Sequence, residues 1–407
     1  MGENWRKAGW AGAAIGVLAA GAAAGVAVER ITVGRGMRMK ARLALDAAGD
    51  YGSLRGTEGR CRADDATELY YEIDEIEEID GVDGVDPLPG DGKRRLRRKA
   101  GAPAPAPATV VFCHGYCLGQ DSWHFQRAAL RGVVRSVYWD QRSHGRSGRG
   151  LAQADGEPVT IEQLGRDLKA VIDAAAPEGP LVLVGHSMGG MTVMGLAEQF
   201  PALVRDRVVG VAFVGTSSGR LDEVTYGLPA AGMGAVRRFL PGVLKALGTQ
   251  VELVEKGRRA TADLFAGMIK MYSFGSREVD PAVARFAERL IEATPIDVVA
   301  EFYPAFQTHD KGTALRRLAD IPVTVIAGDR DMITPLAHSE AIKDALPGAE
   351  LAVLESAGHL MMLERPETVT RLLTELLERA GVVPAATNVG PHGRSTAGSA
   401  ARPGAGS

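Results

Sequence analysis

The chain has 407 residues, 45% of them hydrophobic and 24% charged, with a formal net charge of −3. Those proportions are globular averages and exclude a wholly disordered or fibrous chain. The slight negative charge offers no basic field, which excludes nucleic acid as the main partner. Three cysteines, Cys61, Cys113 and Cys117, are too few and too odd in number for a disulfide framework. Cys113 and Cys117 have no second Cys/His pair at ligand spacing, so no metal site is expected.

Trp10 to Val28 carries no charge and is long enough to cross roughly 30 Å of hydrocarbon as a helix. Gly12/Gly16 and Gly21/Gly25 have the spacing that lets two helices approach closely. The expectation for residues 1–50 is a membrane anchor followed by a basic juxtamembrane stretch. A cleaved signal peptide is the alternative, with Arg6 and Lys7 ahead of the apolar run and Gly25-Val26-Ala27 as its small-x-small site. A plain Ala-rich helix is the third. Arg30, Arg35, Arg38, Lys40 and Arg42 outnumber the basic residues before the run, which places the bulk of an anchored chain on the cytoplasmic side.

Residues 51–214 read as the first part of a folded core. Thr67–Ile73 alternates as a strand does. A low-complexity insert follows near residues 75–108, acidic to Asp91, basic over Lys93–Lys99, then Ala-Pro repeats. It reads as a solvated extension in preference to a partner- or lipid-binding device. From Thr109 onward short Val/Ile/Leu runs alternate with helical segments: Thr109–Cys113, Val133–Trp139, Leu181–Val184, Val208–Val214, Val323–Ala327 and Leu351–Leu354, with helices over Ile161–Ala176 and Met188–Gln199. Strands apolar on both faces belong to a parallel sheet covered by helices, so the predicted fold is α/β and doubly wound. Residues 215–320 show no clear strand and read as a helical cap inserted before the second part of the core, 321–381. The tail, 382–407, is too rich in Gly, Ala, Ser and Pro to fold.

The strongest chemical signal is LVLVGHSMGG over Leu181–Gly190. A G-x-S-x-G between a buried strand and a helix is a nucleophile elbow, with Gly185, His186 and Gly189 flanking Ser187. The glycines make room for a tight turn that exposes the serine Oγ at a helix N-terminus. A serine hydroxyl needs a base and an orienting acid, which follow in that order of strands as Asp or Glu and then His. The loop after Val323–Ala327 offers Asp329 and Asp331, of which Asp331 is preferred, and the loop after Leu351–Leu354 offers His359. The backbone N–H groups of Tyr116 and Met188 stand where oxyanion donors are needed. His144, in the loop Asp140–Ser147, is read as bracing the site and not as catalytic.

The segments HGYCLGQDSW, DQRSHGRS, GHSMGG, GDRDMITP and AGHLMMLERPE together resemble the α/β-hydrolase superfamily, closest to its bacterial esterases, lipases and cofactor-free haloperoxidases. The resemblance covers roughly Thr67 to Gly381. It implies a mostly parallel sheet of about eight strands and a serine hydrolase that cleaves carboxylic esters without metal or cofactor. It also implies Ser187 as nucleophile, Asp331 as acid and His359 as base. Perhydrolysis, thioester hydrolysis and acyl transfer on the same residues are the alternatives, and an inactive tethered binding protein is the contrasting class. Apolar residues of the cap, from Met233 to Phe274, with Met361 and Met362, fit a lipophilic acyl ester as substrate.

Overall fold

The Val, Ile and Leu runs become strands whose successive side chains serve two different cores. The computed structural model describes residues 50–77, 106–154, 156–224, 269–276 and 278–384, with the single positions 238 and 242. Its strands are β1 (Thr57–Arg62), β2 (Glu68–Asp74), β3 (Thr109–Cys113), β4 (Arg135–Trp139), β5 (Leu181–His186), β6 (Val208–Val214), β7 (Val323–Gly328) and β8 (Glu350–Leu354). They form one sheet in the order β1-β2-β4-β3-β5-β6-β7-β8. Only the β1–β2 and β2–β4 pairings are antiparallel; the rest are parallel.

The described helices are α1 (His124–Leu130), α2 (Leu151–Ala154), α3 (Ile161–Ala175), α4 (Met188–Gln199), α5 (Pro201–Arg207), α6 (Pro281–Glu292), α7 (Ile296–Gln307), α8 (Leu336–Ala345), α9 (Met361–Glu364) and α10 (Pro366–Arg379). On one face of the sheet, Val111, Leu183 and Phe213 pack with α3, α4 and α8. On the other, Val110, Phe112 and Val184 pack with α1, α6, α9 and α10. Both faces of the central strands β3, β5, β6 and β7 are therefore largely dry, as their apolar composition requires, whereas the edge strand β8 is exposed or half-buried at four of its five positions. At the antiparallel edge, the buried guanidinium of Arg127 on α1 takes Glu72 and Asp74 of β2, each at 2.8 Å.

The chain steps from β3 to β4 on one side and then crosses to β5 on the other. Loops leaving the C-terminal ends of β3 and β5 meet at this switch in direction, which is where open α/β sheets place their sites. Two departures from the expected elements have local causes. Val133 is not in a strand: it is exposed and follows Gly132, whose φ of 76° turns the chain before β4 begins. Strand β1 has no apolar run to announce it, because TEGRCR lies on the sheet edge with exposed and half-buried positions.

The Trp10–Val28 segment, the basic stretch to residue 49, residues 78–105 of the insert, most of 225–268 and the tail from 385 lie outside the described residues. Among the described residues no helix is long and apolar enough to cross a membrane.

Candidate active site

Ser187 sits between the last residue of β5 and the first of α4, with φ 52° and ψ −119°. A non-glycine residue there is strained and must be held by its surroundings. The hold is visible on both sides of the residue. Its N–H donates to the Val214 carbonyl of β6 at 3.0 Å, and its carbonyl accepts the Thr216 hydroxyl at 2.6 Å. The glycines answer to space. A Cβ on Gly185 would lie 2.5 Å from the Gly189 carbonyl oxygen, and one on Gly189 would overlap the Cys113 carbonyl.

The loops after β7 and β8 bring Asp331 and His359 to this turn. His359 Nε2 lies 2.9 Å from Ser187 Oγ, and His359 Nδ1 lies 2.9 Å from Asp331 Oδ2. All three residues are almost completely buried. A carboxylate only accepts, so Nδ1 carries the ring proton and Nε2 turns its lone pair to the serine hydroxyl. Burial acts to raise the Asp331 carboxyl, but the charge and hydrogen bond of His359 and the bonds from Thr334 outweigh it and hold the group below the usual range. Its Oδ1 accepts the N–H groups of Ile333 at 2.8 Å and Thr334 at 2.9 Å, and its Oδ2 accepts the Thr334 hydroxyl at 2.8 Å. Asp329 stays exposed, engaged through its own N–H with the Leu354 carbonyl.

The base loop has its own support. Glu364 accepts from Gly358 N–H at 2.7 Å, Gly275 N–H at 3.1 Å and Ser276 N–H at 2.7 Å. Leu360 N–H donates to the Ser273 carbonyl. The residue before His359 is thus stitched to the chain entering α6. His186 adds a second tie, with its Nε2 2.9 Å from the His359 carbonyl oxygen. Only a protonated Nε2 can make that bond. Burial drives His186 down to about 3, so the ring is neutral.

Met188 opens α4, so its N–H has no acceptor within the helix. In the loop after β3, Cys117 N–H donates to His144 Nε2 at 3.2 Å and Leu118 N–H to the Gly115 carbonyl at 3.2 Å. Among the described residues no acceptor is found for the Tyr116 N–H between them. His114 Nδ1 bonds the Gly115 carbonyl at 2.7 Å, while His114 Nε2 accepts Gln141 N–H at 2.9 Å. A trans peptide points its C=O and N–H in opposite directions, so holding the Gly115 oxygen also aims the Tyr116 N–H. The Tyr116 ring lies under α7: its hydroxyl donates to the Val299 carbonyl at 2.6 Å and its face stacks on Phe302.

A cleft of about 610 Å³ opens beside Asp331, with Arg220, Glu223, Asp310, Met332, Pro335 and His338 among its walls. Val224, Ala337 and Ala341 add apolar wall beside those charged groups. Of the residues expected from the sequence to line an apolar pocket, Phe274, Met361 and Met362 are buried in the core under the sheet, Met271 is exposed, and those from Met233 to Met268 lie outside the described residues. Thr216, Thr334 and Glu364 are supports that the sequence reading passed over. Only Thr334 carried a local sign, an Asp three residues ahead of a hydroxyl in a Pro-ended turn.

Comparisons with known proteins agree with this architecture. The chain is 31% identical over 292 residues to the dihydrolipoyllysine-residue acetyltransferase component of the acetoin cleaving system of Cupriavidus necator, covering 70% of this chain and 67% of that protein. It is 27% identical over 278 residues to 3-oxoadipate enol-lactonase 2 of Acinetobacter baylyi, covering 66% of this chain and 88% of that enzyme. The fold matches the solved structure of an esterase from Thermogutta terrifontis with a TM-score of 0.56 at 20% identity, over 79% of this chain and 98% of the other. The model of the alpha/beta hydrolase family matches residues 110–372, a span that runs from β3 into α10 and includes Ser187, Asp331 and His359. With its sheet order, its strained turn after β5 and that match, the chain belongs to the alpha/beta hydrolase family.

Proposed function

We propose that the protein is a serine hydrolase that cleaves carboxylic esters through an acyl-enzyme. The observation that carries this reading is the unbroken hydrogen-bonded line from Ser187 Oγ through His359 to Asp331, with both links at 2.9 Å. Ser187 attacks the ester carbonyl as His359 Nε2 takes its proton, and Asp331 keeps the imidazole in the required tautomer and stabilises its charged form. The N–H groups of Tyr116 and Met188 receive the oxyanion. His359 returns the proton to the leaving alcohol, and water releases the acid by the same steps in reverse.

The test is Ser187→Ala on a series of p-nitrophenyl esters from acetate to palmitate. Loss of about a thousandfold or more in turnover is expected, together with loss of labelling by a fluorophosphonate. Retention within about tenfold of wild type overturns the reading. The wild-type series also reads the acyl length the site accepts. Acyl transfer to an acceptor other than water is the second reading, favoured by the 31% identity to an acetyltransferase component; an added alcohol or thiol that diverts product from the acid to a new ester or thioester supports it. Attachment to a membrane through Trp10–Val28 is a separate proposal. Full-length protein in an alkaline-washed membrane pellet supports it, and a soluble mature chain starting beyond Ala27 overturns it.

A further inference from the structure

His144 has no part in the line from Ser187 to Asp331, yet it is buried within the loops around it. Its Nδ1 is 2.9 Å from the Arg142 carbonyl oxygen, which can only accept, so Nδ1 bears the proton. Its Nε2 therefore offers a lone pair, and the Cys117 N–H fills it at 3.2 Å. Cys117 holds a left-handed φ of 57°, a conformation that needs such support. The two peptide planes that flank Tyr116 are thus each held by an imidazole: Gly115–Tyr116 by His114 through the carbonyl, and Tyr116–Cys117 by His144 through the N–H. Phe302 of α7 stands at 89° to the His144 ring with centroids 4.9 Å apart, and the same Phe302 stacks on Tyr116.

We infer that His144 is a positioning residue for the oxyanion: by accepting the Cys117 N–H it fixes the backbone of Tyr116, so that the Tyr116 N–H faces the acyl carbonyl held at Ser187. The inference rests on the serine-hydrolase reading. It goes beyond that reading because it gives a polar side chain outside the Ser187–His359–Asp331 line a share in transition-state binding. It also makes α7 a neighbour that steadies the donor through one imidazole.

Two substitutions separate the bonds of His144. In His144→Asn the side-chain amide stands near the place of Nδ1, keeping the Arg142 bond and losing that to Cys117. In His144→Gln it reaches the place of Nε2 and keeps the Cys117 bond. H144N is expected to lower kcat about tenfold or more with KM nearly unchanged, since a misplaced oxyanion donor acts on the transition state alone. It should weaken a trifluoromethyl ketone, which forms a tetrahedral oxyanion adduct at the serine, by a similar factor. H144Q should stay within about threefold of wild type on both readouts. Equal losses in the two variants, as a merely structural role would produce, overturn the inference, and so does an H144N that behaves as wild type. If H144N does not fold, H144Q alone decides: a kcat more than about tenfold below wild type overturns it. Ser187→Ala is run beside them. An active S187A removes the serine-hydrolase reading and this inference with it, whereas an inactive S187A with indistinguishable H144N and H144Q removes this inference alone.

Discussion

The turn that carries Ser187 is held by backbone packing and strand pairing, whereas the loop that carries His359 depends on hydrogen bonds, foremost a carboxylate that gathers N–H groups from two segments, with ties from His186 and Ser273 beside it. The difference lies in how each hold gives way. Close-packed backbone has no second arrangement nearby, so an added atom must push a strand or break the turn. Charge-assisted hydrogen bonds are strong but separable, and they can be removed one at a time. The serine side is therefore fixed by shape, and the histidine side adds a set of separable bonds to its own close backbone contact between Gly358 and Gly275.

The severest way to break this comparison is Gly189→Ala. Its methyl group would overlap the Cys113 carbonyl, so the β5–α4 turn must shift away from β3. A loss of about 3 kcal/mol in denaturant unfolding is expected, with near-complete loss of ester hydrolysis. A variant within about 1 kcal/mol of wild type and fully active shows that the turn is softer than its packing implies. Glu364→Met is the matching test of the carboxylate clamp. It strands the Gly358, Gly275 and Ser276 N–H groups, and a destabilisation of about 2 kcal/mol is expected, with slower labelling of Ser187 by a fluorophosphonate. Glu364→Gln, which can keep an acceptor for Gly358 and Gly275, should recover much of both. Equal behaviour of the Met and Gln variants speaks against a clamp built on acceptor oxygens.

The smallest effect is expected on the acid side. The folded Asp331 carboxyl lies below its ordinary value, so it adds stability that is present above about pH 4 and disappears as pH falls through the folded value. Thr334→Val removes one donor to Oδ2. It should cost about 1 kcal/mol near neutral pH. That difference should narrow in urea unfolding as the pH is lowered below about 4, where wild type loses the same contribution. A constant difference between pH 7 and pH 3 means that Thr334 acts by packing and not through the carboxylate charge.

Much of this architecture is legible in the sequence, and for physical reasons. The strands Thr109–Cys113 and Val208–Val214 and the helix Met188–Gln199 run between the residues expected, because each is a dense apolar run with an abrupt end. Ser187, Asp331 and His359, picked out by their order along the chain and their loops after strands, are the three side chains that meet. Thr57–Arg62 was illegible because edge strands need no apolar face. Glu364 was illegible for another reason: one carboxylate reaching backbone N–H groups at residues 275, 276 and 358 leaves no pattern along the sequence. The left-handed turn at Cys117, and the imidazole that answers it, are likewise visible only in three dimensions.

The sheet has a working end and an idle end. Because β2 runs antiparallel to β4 and β3 parallel to it, β2 finishes and β3 begins at the N-terminal end of the parallel strands, away from the loops that hold Ser187 and His359. The described residues on either side of the charged, Ala-Pro-rich stretch lie at that end: Glu77 beside Gly132 ahead of β4, and Ala106 beside Gly179 ahead of β5. A fluorophore or a tether joined at Glu77 or Ala106 would therefore be attached at the pole opposite the reacting atoms.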